Sequence, residues 1–105
     1  MIVSTTSSLD NQPVKQYLGV VTGEVVAGAN IVRDIFASVT DIFGGRSGKY
    51  EAVLGRARDE AMYEMQARAA KMGANAVIGV DIDYEVLGKA GSMLMVSVTG
   101  TAVVI

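Results

Sequence analysis

Apolar residues recur along this chain at two different spacings, and each change of spacing marks the border of an element. Residues 1–4 are apolar enough for a brief strand. Asp10, Asn11, Gln12 and Pro13 form a polar cluster closed by the chain's one proline, which predicts a turn. Residues 14–27 (VKQYLGVVTGEVVA) are rich in β-branched side chains and lack helical spacing, so a long strand is expected. Gly19 and Gly23 lie four apart within it, on one face of a regular strand. Glycine at such positions marks a bulge or the close approach of another backbone.

Beyond Gly28 the period lengthens. Over residues 31–43 the apolar positions are Ile31, Val32, Ile35, Phe36, Val39, Ile42 and Phe43, one side of an α-helix. Asn30 suits its N-cap and Gly44-Gly45 its end. A longer helix is expected over residues 49–72, capped by Ser47, with Tyr50, Leu54, Ala57, Ala61, Met65, Ala69 and Met72 as its apolar stripe. Arg56/Glu60 and Glu64/Arg68 are opposite charges one helical turn apart on the wet side. Lys71 complements the helix dipole and Gly73 takes the C′ position. So many alanines in one stripe mean that whatever packs there comes close.

The last third alternates with period two and reads as a hairpin. In residues 76–87, Ile78, Val80, Ile82, Tyr84 and Val86 share one side, and Asp81, Asp83 and Glu85 the other. In residues 92–105, Leu94, Val96, Val98, Ala102 and Val104 oppose Met93, Met95, Ser97, Thr99 and Thr101. The turn falls at Gly88 to Gly91. Pairing Tyr84 with Val96 and Ile82 with Val98 sets Asp83 against Ser97 and Asp81 against Thr99. A slip of one residue would set carboxylates against valines, so side-chain chemistry selects the first register. The resulting order is short β, long β, α, α, long β, long β. It predicts an α+β domain, with an antiparallel sheet and two helices packed on one face.

Composition changes this picture in one respect. The 105 residues allow a single domain, 1–105. Half of them are hydrophobic and 12 more are glycine. Leaving out the 4 tyrosines, these make about 58%, against roughly 45–50% for an average soluble domain. A lone chain of this size has little interior, so self-association is expected. There is no Cys, His or Trp, which removes disulfides, thiolate or imidazole metal sites and the commonest general base. With a net charge of −2 and scattered basic residues there is no nucleic-acid footprint. No apolar run approaches the ~20 residues of a membrane helix, and residues 1–10 do not read as a signal peptide. A cytoplasmic location is expected.

Three places invite chemistry. Residues 44–48 (GGRSG) run into the long helix, and there Gly45, Arg46, Ser47 and Gly48 would offer backbone N–H groups and a guanidinium to an anion. The plainer reading is a C-cap joined to an N-cap. Asp81, Asp83 and Glu85, beside Ser97 and Thr99, would present oxygens to a hard cation. Alternatively they are a solvated strand face or a subunit contact. Met62, Met65, Met72, Met93 and Met95 would offer thioethers to a soft ion, or simply fill gaps in the core. No serine sits in a nucleophile elbow, and no catalytic residue is nominated.

Residues 19–51 (GVVTGEVVAGANIVRDIFASVTDIFGGRSGKYE), 72–85 (MGANAVIGVDIDYE) and 91–103 (GSMLMVSVTGTAV) resemble the YbjQ-like family. This is a bacterial family of short, uncharacterised proteins labelled "putative heavy-metal-binding". The resemblance implies a dodecin-like α+β subunit assembled into a homo-oligomeric ring, a pentamer. It carries over no catalytic residues. The expected function is a non-enzymatic, ring-forming binding or scaffold domain whose subunits meet through strand edges and the Ala/Met helix stripe. The alternative is a metal-binding protein using Asp81, Asp83 and Glu85.

Overall fold

The computed structural model describes residues 1–28, 48–89 and 93–105. Strand β1 is Ile2–Val3, β2 is Gln16–Ala27, helix α1 is Gly48–Lys71, β3 is Ala76–Leu87 and β4 is Met93–Val104. They form an α+β unit in which one helix, among the described residues, packs on a four-stranded sheet of order β1-β3-β4-β2. The helix expected over residues 31–43 lies outside the described residues. No described helix is long and apolar enough to cross a membrane.

The sheet is mixed, not antiparallel throughout. β2 and β3 both run antiparallel to β4, but β1 runs parallel to β3, with Ile2 beside Ala76 and Val3 beside Val77. A two-residue strand carries no side-chain pattern that reveals its direction; the chain around it decides. After β1, Ser4 and Thr6 continue along β3, accepting hydrogen bonds from Val80 and Gly79 through their backbone carbonyls. The chain then turns back, and Leu9 and Val14 cover Ala76, Ile78 and Val103 before the Lys15 N–H reaches the Val104 carbonyl at 2.7 Å. β1 and β2 therefore start from the same end of the sheet at opposite borders.

The expected hairpin register is present. Asp81 pairs with Thr99, Ile82 with Val98, Asp83 with Ser97 and Tyr84 with Val96. It shifts by one between Ile78 and Asp81, at Gly79, whose φ is +61°. That bulge corrects the expected faces: Val77 and Val80 point to the helix, while Ile78 turns to the opposite side with Ala76 and Val103. Gly100 lies beside the bulge, and a Cβ there would stand 2.6 Å from Cγ1 of Val77.

The core lies between α1 and the sheet. Val21, Ala57, Ala61, Met65, Ala69, Val77, Val80, Val96, Val98 and Ala102 are buried together. Helix α1 ends as its sequence predicts. Gly73 adopts φ +92°, its N–H bonds to the Ala70 carbonyl, and the Ala74 N–H reaches the Ala69 carbonyl, both at 3.0 Å. This is a Schellman motif. Both suspicions about the β2 glycines hold. The ladder shifts between Tyr17 and Gly19, and Gly23 receives the helix backbone. A Cβ on Gly23 would lie 2.0 Å from the Ala61 carbonyl oxygen.

Because that neighbour is backbone, it cannot rotate away. Gly23→Ala is expected to destabilise the fold by about 2–3 kcal/mol, the upper range for overpacking. Gly28, with no atom of the described residues within 4 Å of its would-be Cβ, should tolerate alanine to within about 0.5 kcal/mol. Urea unfolding of the two variants tests the contrast, and equal midpoints would contradict it.

Candidate functional site

The sheet face away from α1 is where the chemistry-bearing side chains collect. Side chains alternate along each strand, so Val20, Thr22, Glu24 and Val26 of β2 share this face with Met95, Ser97, Thr99 and Thr101 of β4 and with Asp81, Asp83 and Glu85 of β3. The registers align them in rows: Thr22, Thr99 and Asp81, then Glu24, Ser97 and Asp83, then Val26, Met95 and Glu85. The β2 side of this open face is mainly apolar and the β3 side acidic. Glu24 belongs to the acidic set's row across Ser97. Sequence reasoning missed it because only the pairing of β2 with β4 brings it there.

Asp81, Asp83 and Glu85 are all exposed. Asp81 raises the Asp83 pKa, first through side-chain hydrogen bonding and then through its charge, with desolvation and the charge of Glu85 adding to it. The structure thus brings together a carboxyl pair two residues apart on a strand. A cavity of about 340 Å³ lies beside Asp83, lined by Asp83, Tyr84, Glu85, Met95 and Ser97. Among the described residues, no group of three or more His, Cys, Asp or Glu is placed to hold a metal ion. Of the anion candidate, Gly45, Arg46 and Ser47 lie outside the described residues, and Gly48 is the first residue of α1.

The sheet separates the methionines. Met65 is fully buried on the helix side, with Met62 packed against the same core, and the Met72 methyl lies 3.6 Å from the Cβ position of Gly19. Met93 and Met95 alternate with the core residues Leu94 and Val96 and therefore face the other way. The two groups cannot converge on one ion. A larger cavity, about 620 Å³, follows the exposed side of α1 along Ala52, Gly55, Arg56, Asp59, Glu60 and Tyr63. On β2, Arg68 reaches around the strand. It is paired with Glu64 and donates to the Thr22 carbonyl at 2.9 Å and the Thr22 Oγ1 at 3.3 Å.

These features define a small α+β domain whose sheet has one face packed by a helix and one face largely open, with no assembled catalytic constellation among the described residues. Over residues 1–105 the sequence matches the YbjQ family, described as "Putative heavy-metal-binding", and the chain belongs to that family. It is also similar to a crystal structure, at 2.73 Å resolution, of a protein of unknown function from Pediococcus pentosaceus ATCC 25745 that belongs to the DUF74 family. The two chains share 17% identity, with a TM-score of 0.60 over 100% of this chain and 97% of the other. At that identity the likeness is one of fold.

The donors of this chain do not fit the metal in the family's description. Soft heavy metals select thiolate, thioether and imidazole. The chain has no Cys or His, its methionines are divided by the sheet, and its acidic strand supplies only exposed carboxyls. Zn²⁺ and Cu⁺ are accordingly expected to leave the thermal midpoint of the untagged protein unchanged. A saturable rise with either ion would reverse this conclusion.

The Asp81–Asp83 pair has a pH signature. A carboxyl whose pKa is raised by folding binds its proton more tightly in the native state. Its stabilising contribution is complete below the ordinary carboxyl value and is lost as pH rises through the raised one. Asp83→Asn removes the repulsion, so the variant should melt above the wild type at neutral pH, with the gap narrowing as pH falls into the carboxyl range. Paired melting curves across pH test this; a gap independent of pH would refute it.

Proposed function

We propose that this chain is a non-enzymatic, self-assembling domain that acts as a binding module or scaffold, with copies arranged in a ring, pentameric in the manner the family resemblance suggests. The observation that carries this reading is the open sheet face. Tyr17 is 69% exposed there, Val20 76% and Val26 55%, in a chain already rich in apolar residues. Exposed apolar side chains clustered on one strand are the mark of a surface that meets another protein. The Ala/Met stripe of α1 is not such a surface. Ala57, Ala61, Met65 and Ala69 are buried against the chain's own sheet, so the contact between copies falls on the open face of β2 instead.

Catalysis is not part of this reading. The described acidic pair lies exposed, and the whole sequence lacks His and Cys to serve as base or nucleophile. The net charge of −2 favours a partner other than nucleic acid, and a cytoplasmic setting accords with a cysteine-free chain.

Sedimentation at micromolar concentration should give a mass several times 11.0 kDa, five times for the ring. Val20→Lys replaces an exposed side chain and should change subunit stability by about 0.5 kcal/mol or less, yet it should lower the assembled mass. A folded wild-type species of 11.0 kDa would overturn the proposal.

A further inference from the structure

The two borders of the sheet are treated differently by the chain. Arg68 closes the β2 border by bonding the Thr22 carbonyl. That bond also fixes which groups face outward elsewhere. Because the Thr22 backbone points away from β4, the paired Thr99 directs its backbone to β3, where it meets Asp81. Alternation then turns the N–H and C=O groups of Ile82, Tyr84 and Val86 outward, away from β4.

The chain covers only the first part of that border. β1 pairs with Ala76 and Val77, and the segment after it bonds Gly79 and Val80 through Thr6 and Ser4. From Ile82 onward no described element pairs with β3 on the side away from β4. On the helix side of this free stretch Tyr84 is 48% and Val86 63% exposed. On the other side stand Asp81, Asp83 and Glu85, with the 340 Å³ cavity running over Asp83, Tyr84 and Glu85.

We propose that the free border of β3, residues 82–87, is a strand-addition site for an extended peptide in which lysine or arginine alternates with apolar residues. Backbone hydrogen bonds to Ile82, Tyr84 and Val86 hold such a strand. Its residues of one parity lie directly beside Asp83 and Glu85, where opposite charges stabilise a cross-strand pair and like charges oppose it. Its residues of the other parity cover Tyr84 and Val86. The same charges disfavour a second copy: two β3 borders would set carboxylate rows side by side, and the β2 border is occupied by Arg68 and carries Glu24. This inference is independent of the ring, which uses the open face of β2.

The probe is a fluorescently tagged, acetylated peptide of alternating lysine and valine, followed by anisotropy and by hydrogen–deuterium exchange of the wild-type protein. The outward amides of Ile82, Tyr84 and Val86 should exchange fast in the protein alone and slow when the peptide is added. Binding should saturate and weaken with added salt, and the same peptide with glutamate in place of lysine should not bind. Tyr84→Pro removes an outward N–H while leaving the ladder to β4 intact, and should weaken binding by about tenfold, the value of one hydrogen bond. The exchange measurement needs no variant, so it stands even if Tyr84→Pro fails to fold. Protection of the Ile82, Tyr84 and Val86 amides before peptide is added would overturn the proposal, as would absent binding or equal affinity for the glutamate peptide. A fall in assembled mass in Tyr84→Pro would also overturn it, by making a second copy the occupant.

Discussion

Where α1 crosses β2, backbone meets backbone. The carbonyl of Ala61 and the N–H of Met65 occupy the space that any side chain at position 23 would need. Ala57, Ala61 and Ala69 are small enough to let the helix come that close. Among the described residues the largest fully buried side chain is Met65, and the next largest are valines. A core so thin depends on register more than on volume. If the helix moved along the strand, a valine would replace the glycine and the two backbones would have to separate. This contact also sets the helix where Arg68 can reach over the border of β2, so the position of Gly23 is felt at the rim of the sheet.

A second constraint acts at Gly79 and Gly100. The bulge inserts one residue into β3, and Gly100 leaves room for Val77 and Val80, which then both face the helix. Its effect is to divide β3 into two halves with different jobs. Before the bulge, Ala76 and Ile78 lie on the open face and are covered by Leu9 and Val14. After it, the open face receives Asp81, Asp83 and Glu85. The acidic strip therefore begins where the cover from the N-terminal segment ends. Asn75 anchors the same end of the sheet: its side chain exchanges two hydrogen bonds with Ile105, at 3.1 and 2.8 Å.

Function follows from what these contacts leave uncovered. One face of the sheet is used to fold the chain, and the other displays an apolar strand and an acidic strand separated by the hydroxyls of β4. In the function proposed for the chain, this face is the surface that meets other molecules. The family's metal description finds little in this chain: charge, hydroxyls and backbone edges are offered where a soft ion would need sulfur or imidazole.

Much of this was legible in residue order because it rests on local periodicity. The lengths of β2, α1, β3 and β4, the cap at Gly73 and the hairpin register from Asp81 to Tyr84 all follow from which neighbours alternate and which recur each helical turn. The acidic row was legible for the same reason, since residues two apart on a strand share a face whatever surrounds them. Three features were not. The direction of β1 depends on how the chain doubles back over Ala76 and Val103. The faces before Gly79 depend on a bulge that strict alternation conceals. Glu24 joins the acidic row only because β2 lies beside β4, more than 70 positions away in the chain. Periodicity is a property of neighbours and is written in the sequence itself; adjacency between distant strands comes from packing, and only the folded chain decides it.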